Sequence, residues 1–173
     1  MSVLTKINHA EKDKYCENIY EKYIVQTSDF LGSCERAGLV IRAYIPRGCY
    51  TNFRDVLFHF RRMANASESS EITCQAFAIK EHANRAKTDA VICLLDSCAD
   101  IIEIIINEND LSEEIRYKLE TQLNILRESL MNYRLGGMML ENADLLKMTE
   151  ESFLNILEEY FKCIDIYVSD KFK

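Results

Sequence analysis

The chain predicts an all-α fold: a single domain over residues 1–173, arranged as an up-and-down bundle of four to five antiparallel helices. Three observations carry this. Apolar residues recur at intervals of three and four through every long segment, the helical period, and strand-like alternation is nearly absent. One Pro and five Gly in 173 residues leave few interruptions. With 48% hydrophobic and 28% charged residues, a chain of this length can bury a substantial core.

The first helical pattern spans about Ala10 to Tyr44. Tyr15, Ile19, Tyr23, Phe30, Cys34 and Ile41 follow the period loosely, and Gly32 and Gly38 are points where a straight helix would be interrupted. The clearest break is Ile45-Pro46-Arg47-Gly48-Cys49-Tyr50. Thr51 or Asn52 then serves as N-cap of a short central helix, Thr51 to Ala64, with Asp55 in its first turn, where negative charge suits the helix dipole. At about 100° per residue, Phe53, Val56, Leu57, Phe60 and Ala64 form an inward face, and Arg54, Asp55, Phe58, His59, Arg61 and Arg62 an outward one. Ser67 to Ser70 marks the next turn. Ile72, Ala76, Ile79, Ala83, Ala86, Ala90, Leu94, Cys98, Ile101 and Ile105 describe one helix from about Glu71 to Asn107. Asp110-Leu-Ser-Glu113 resembles a capping box, opening a helix with Ile115, Leu119, Leu123, Leu126 and Leu130 inward and a stop at Gly136-Gly137. Met138 to Lys147 reads as a short connecting helix, and Thr149 caps a last one.

Seven cysteines without paired CxxC spacing fit a reducing compartment, so a cytoplasmic location is expected. The N-terminal stretch lacks an apolar core of signal-peptide length, and Ala90 to Ile106 is interrupted by Asp96, Asp100 and Glu103, so no membrane association is expected. There is no Gly-rich phosphate loop, no HExxH and no Glu-x-x-His pair, so neither a metal nor another cofactor is expected. Asp96, Asp100 and Glu103 read as a solvated acidic face; His9 and His82 suggest no role by spacing.

Charge is distributed unevenly. The net charge is −7, yet Arg36 to Arg62 carries six arginines against the single acid Asp55, a local +5 that leaves −12 for the rest. All six cations are Arg, whose forked donors suit phosphate or carboxylate. Within this stretch stands Arg54-Asp55-Val56-Leu57-Phe58-His59. An arginine, a polar residue directly after it, three more residues and a histidine, on a helix of a small all-α domain, resemble the R-x(4–6)-H motif of HEPN domains. The resemblance covers six residues and the fold class. It implies a metal-independent endoribonuclease of a toxin–antitoxin or phage-defence system, with a composite site formed by a homodimer.

The residue types suit that chemistry in their own right. RNA cleavage without a metal needs a base for the 2′-hydroxyl proton, an acid for the leaving oxygen, and positive charge on the developing phosphorane. His59 fits the proton-transfer roles and Arg54 the last. Asp55, four residues before His59, is positioned to orient its ring. Phe58 is available to stack on a base or pack against a second subunit, and Arg47, Arg61 and Arg62 extend the RNA-binding surface. A second expectation rests on other features. The alanine-seamed long helix and the acidic faces suit a non-catalytic interaction module, an immunity factor, inhibitor or adaptor, whose arginine segment binds a cognate protein partner.

Overall fold

A computed structural model describes residues 9–41, 43–107 and 111–139, together with positions 162, 165, 168 and 169. The described residues are helical nearly throughout, in the order α1 (His9–Ile19), a π-helical turn (Tyr20–Val25), α2 (Gln26–Ile41), α3 (Arg47–Asn65), α4 (Ser69–Ile106) and α5 (Glu113–Met139). Of the expected connecting helix, Met138 to Lys147, the first two residues belong to α5 and the rest lies outside the described residues, as does the helix capped by Thr149 apart from the helical positions 162, 165, 168 and 169. The all-α class holds among the described residues. No helix there is long and apolar enough to cross a membrane. The chain divides into two compact units, Met1–Ala37 with Ile45–Ala90 and Gly38–Tyr44 with Val91–Lys173.

In the first unit, α1 runs into α2 without a break, and the π turn explains why the apolar period is loose there. A π turn inserts a residue and re-phases the buried stripe, so that Tyr23 and Ile24, adjacent in sequence, both enter the core. Gly32 is accommodated without interruption. The core joins Ile19, Tyr23 and Ile24 to Val56, Met63 and Ala66 and to Ile72, Ala76, Ile79 and Ala83, with Cys16, Phe53 and Phe60 packed at its margin. Lys12 donates to the Ala66 carbonyl at 2.6 Å, placing a cation at the C-terminal end of α3, where the helix dipole favours it.

Three expectations for α3 are corrected. The helix starts at Arg47, not at Thr51, with Pro46 as its N-cap (φ −59°, ψ 141°) and the Cys49 N–H donating to the Pro46 carbonyl at 2.9 Å. Burial of Cys49, which is wholly inaccessible, draws the first turn into the core. Thr51 and Asn52 are therefore interior residues, Thr51 Oγ1 donating to the Arg47 carbonyl at 3.2 Å, and Asp55 lies beyond the first turn. The inward face is also rotated from the expected one. Cys49, Val56 and Met63 are buried, whereas Leu57 is 45% exposed and Ala64 is exposed. That rotation turns His59 from the outer face to the flank, where it is half-buried.

In the second unit, Val91, Leu94, Leu95, Cys98, Ile102 and Ile106 of α4 are buried, as are Leu119, Leu123, Leu126 and Leu130 of α5. Ile101 and Ile105, expected inward, are only half-buried: an apolar run of this kind does not reveal its own phase, and steps of four from Cys98 select Ile102 and Ile106. Arg134 reaches Asp96 at 2.7 Å, Arg127 pairs with Glu103, and Arg116 donates to the Ile106 carbonyl at 2.5 Å. These partners descend along α5 as they ascend along α4, so the two segments run antiparallel. They also give two acids of the supposedly solvated face arginine partners. Ser112 Oγ accepts from the Ile115 N–H at 3.4 Å, so α5 opens at Glu113 behind Ser112 rather than behind Asp110, which lies outside the described residues, and it continues through Gly136 and Gly137 to Met139 instead of stopping at the glycine pair. Gly38 has a positive requirement. The Ala43 N–H returns to the Gly38 carbonyl at 2.8 Å, and a Cβ on Gly38 would lie 2.6 Å from the Ala43 carbonyl oxygen.

Candidate functional site

The candidate site lies on α3 and the adjoining part of α4 in the first unit. Arg47, Arg54, Phe58, Arg61 and Arg62 are all exposed, with Tyr50 and Leu57 between them. Helical spacing places Phe58, Arg61, Arg62 and Asn65 side by side, and with Glu71 from the first turn of α4 they line a shallow cleft of about 260 Å³. The Arg62 guanidinium lies over the Phe58 ring, 5.8 Å from its centroid, and Asn65 Nδ2 donates to the Arg61 carbonyl at 2.9 Å. Tyr50 donates a hydrogen bond to the Glu35 carboxylate; burial, and behind it that hydrogen bond, push its hydroxyl up to about 12.

Arg54 and His59 are not brought together within one chain. They stand five positions apart, about 140° around the helix. The Arg54 side chain is 72% exposed and donates through Nε and Nη2 to Asp55 Oδ1 at 3.2 and 3.0 Å. Asp55 thus serves Arg54 and not His59, which corrects the expectation that it orients the imidazole. His59 takes its orientation from α4. Its Nδ1 donates to Gln75 Oε1 at 2.7 Å, an acceptor on a buried side chain, and its ring meets Phe58 edge-on with centroids 5.5 Å apart. A carbonyl oxygen can only accept, so Nδ1 is the donor of this pair, and Nε2 makes no hydrogen bond among the described residues.

The second imidazole of the site is one that spacing along a single helix did not suggest. The His82 ring stacks on His59 with centroids 5.3 Å apart and planes inclined by 17°, and its Nδ1 donates to Asn52 Oδ1 at 3.1 Å. Two histidines are thus held by two side-chain amides in the same way. The signal for this was present in the helical hairpin. Gln75 lies as many residues after position 67, the turn, as His59 lies before it, and the same holds for His82 and Asn52. In antiparallel helices leaving one turn, equidistant residues become neighbours. Among the described residues, no three His, Cys, Asp or Glu side chains converge as metal ligands.

A separate buried cluster lies in the same unit. Cys34 is inaccessible, and burial, reinforced by the neighbouring Cys49 and opposed by Lys87, pushes its thiol up to about 12. Lys87 is itself buried, its Nζ 5.5 Å from the Phe30 ring centroid.

No protein-family model matches this chain, and no curated protein or solved structure matches it.

Proposed function

We propose that this chain is an HEPN-like, metal-independent endoribonuclease of a toxin–antitoxin or phage-defence system, acting in the cytoplasm as a homodimer whose helices form a single up-and-down bundle. The observation that carries the proposal is the outer face of α3. It presents four exposed arginines and the Phe58 ring beside an imidazole whose Nδ1 is fixed and whose Nε2 is open. His59 Nε2 takes the proton of a ribose 2′-hydroxyl, and the 2′ oxygen attacks the adjacent phosphorus. The 5′ oxygen leaves with a proton from an imidazolium, giving a 2′,3′-cyclic phosphate and a 5′-hydroxyl. Arg54, aligned by Asp55, stabilises the phosphorane charge. Because Arg54 and His59 diverge on one helix, the reading requires the partner's Arg54 beside His59.

Incubating the protein with labelled RNA in EDTA tests this, beside Arg54→Ala and His59→Asn. Asn retains an N–H for Gln75 and therefore spares the fold. Cleavage by wild type and a loss of about 10²-fold or more in His59→Asn are expected. Absence of cleavage, or cleavage unchanged in both variants, rejects the enzyme. Sedimentation of the wild type tests the dimer: a monomer at every protein concentration and ionic strength removes the composite site. A second reading, a non-catalytic interaction module, is favoured by the exposed Leu57 and Phe58 among the arginines, which suit a cognate partner with an acidic, apolar surface. That reading stands if RNA is neither cleaved nor bound.

A further inference from the structure

The cleft at the α3–α4 turn holds polar groups of both signs in an unusual state. Arg61, Arg62 and Glu71 line the same 260 Å³ space, yet among the described residues none of the three side chains forms an ion pair. All three are exposed, and the Phe58 ring between them is 55% exposed. Asn65 is held by its Nδ2 bond to the Arg61 carbonyl, which leaves its Oδ1 available. The cleft is smaller than a typical small-molecule pocket, and its lining is exposed, so it is poorly suited to engulfing a metabolite. It does match an unstacked base on a polynucleotide strand, which needs one aromatic face, nearby cations for its phosphate and a few edge contacts.

Resting on the RNA-binding reading above, we propose that Phe58, Arg61, Arg62 and Glu71 form a base subsite selective for guanine in single-stranded RNA. The base stacks on Phe58, on the ring that Arg62 also covers. Glu71 supplies the selectivity. A carboxylate only accepts, and its two oxygens match two adjacent donors. Guanine alone carries such a pair on its Watson–Crick edge, N1–H and the N2 amino group. Adenine and cytosine offer one amino donor beside an acceptor, and uracil offers one N–H between two carbonyls. Guanine's other edge, N7 and O6, accepts from an arginine fork, which Arg61 or Arg62 supplies. An acidic protein segment would satisfy the arginines but offers Glu71 no pair of adjacent donors on a flat ring that also stacks on Phe58, and that combination decides for the nucleic acid.

The test is fluorescence anisotropy with labelled 2′-O-methyl oligouridines bearing G, A, C or U at one central position. These lack the attacking hydroxyl, so binding is read independently of cleavage. Wild type is expected to prefer the G-containing strand about tenfold. Glu71→Gln should erase that preference while keeping or raising overall affinity, since a negative charge beside the phosphates is removed. Phe58→Ala should weaken all four strands about tenfold. Both positions are exposed, and thermal melts of the variants confirm their folding. Equal binding of all four strands, or a guanine preference that survives Glu71→Gln, overturns the subsite while leaving RNA binding in place. Failure to bind any strand overturns both, and poly-glutamate binding as tightly as the G strand assigns the arginines to an acidic protein instead. Guanine preference without cleavage in EDTA rejects the nuclease and retains the subsite.

Discussion

Replacing His59 by alanine is the most informative perturbation of the fold, because the ring is held where an ordinary surface histidine would not be. The substitution strips Gln75 Oε1 of its donor at 2.7 Å, and Gln75 is only 7% exposed. A buried polar atom left without a partner costs about 1–3 kcal/mol. Loss of the stacked contact with His82 adds about 0.5–1.5 kcal/mol, at the scale of a buried ring pair. Together the two predict a destabilisation of about 1.5–4.5 kcal/mol, a fall in melting temperature of about 3–18 °C for a chain of this size. Arg54→Ala is the internal control. Its side chain is 72% exposed, and its pair with Asp55 lies at the surface, so a change within about 0.5 kcal/mol is expected. Urea unfolding followed by helical circular dichroism reads both, and the cycle with Gln75→Leu isolates the coupling, expected at about 1 kcal/mol. A His59→Ala variant as stable as Arg54→Ala would show the imidazole to be solvated and refute the network. His59→Asn, which restores an N–H to Gln75, should recover most of the loss.

Gly38→Ala should destabilise by about 1–3 kcal/mol, because its Cβ would meet the Ala43 carbonyl oxygen at 2.6 Å and neither backbone can withdraw cheaply; an unchanged urea midpoint refutes that close approach. Cys34 and Tyr50 titrate near 12 in the folded chain against ordinary values of 9.0 and 10.0. Folded values above the unfolded ones mean that the unfolded chain loses these protons first, so their stabilising share is whole below about pH 9 and is lost as pH rises towards 12. An alkaline unfolding series checks this, as does a thiol reagent at pH 8, to which native Cys34 should be inert while exposed Cys74 reacts. Equal rates for the two thiols would remove the premise.

Much of this protein is determined locally. The period of three and four along Ile72 to Ala90, the break around Pro46 and the turn before Ser69 are properties of neighbouring residues, and local physics suffices to read them as helices and their limits. The exposed arginines and Phe58 were legible for the same reason, since a helical wheel requires only the residues on it. Tertiary structure decided what depends on a partner. Burial of Cys49 began α3 at Arg47, overruling Thr51 as a cap, and the consequent rotation of the inward face exposed Leu57 and tucked in His59. His59 then found Gln75 and His82 across the hairpin, and Asp55 turned to Arg54. A side chain's hydrogen-bond partner is set by the register between two helices. That register is a property of how their faces interlock, which no single helix encodes.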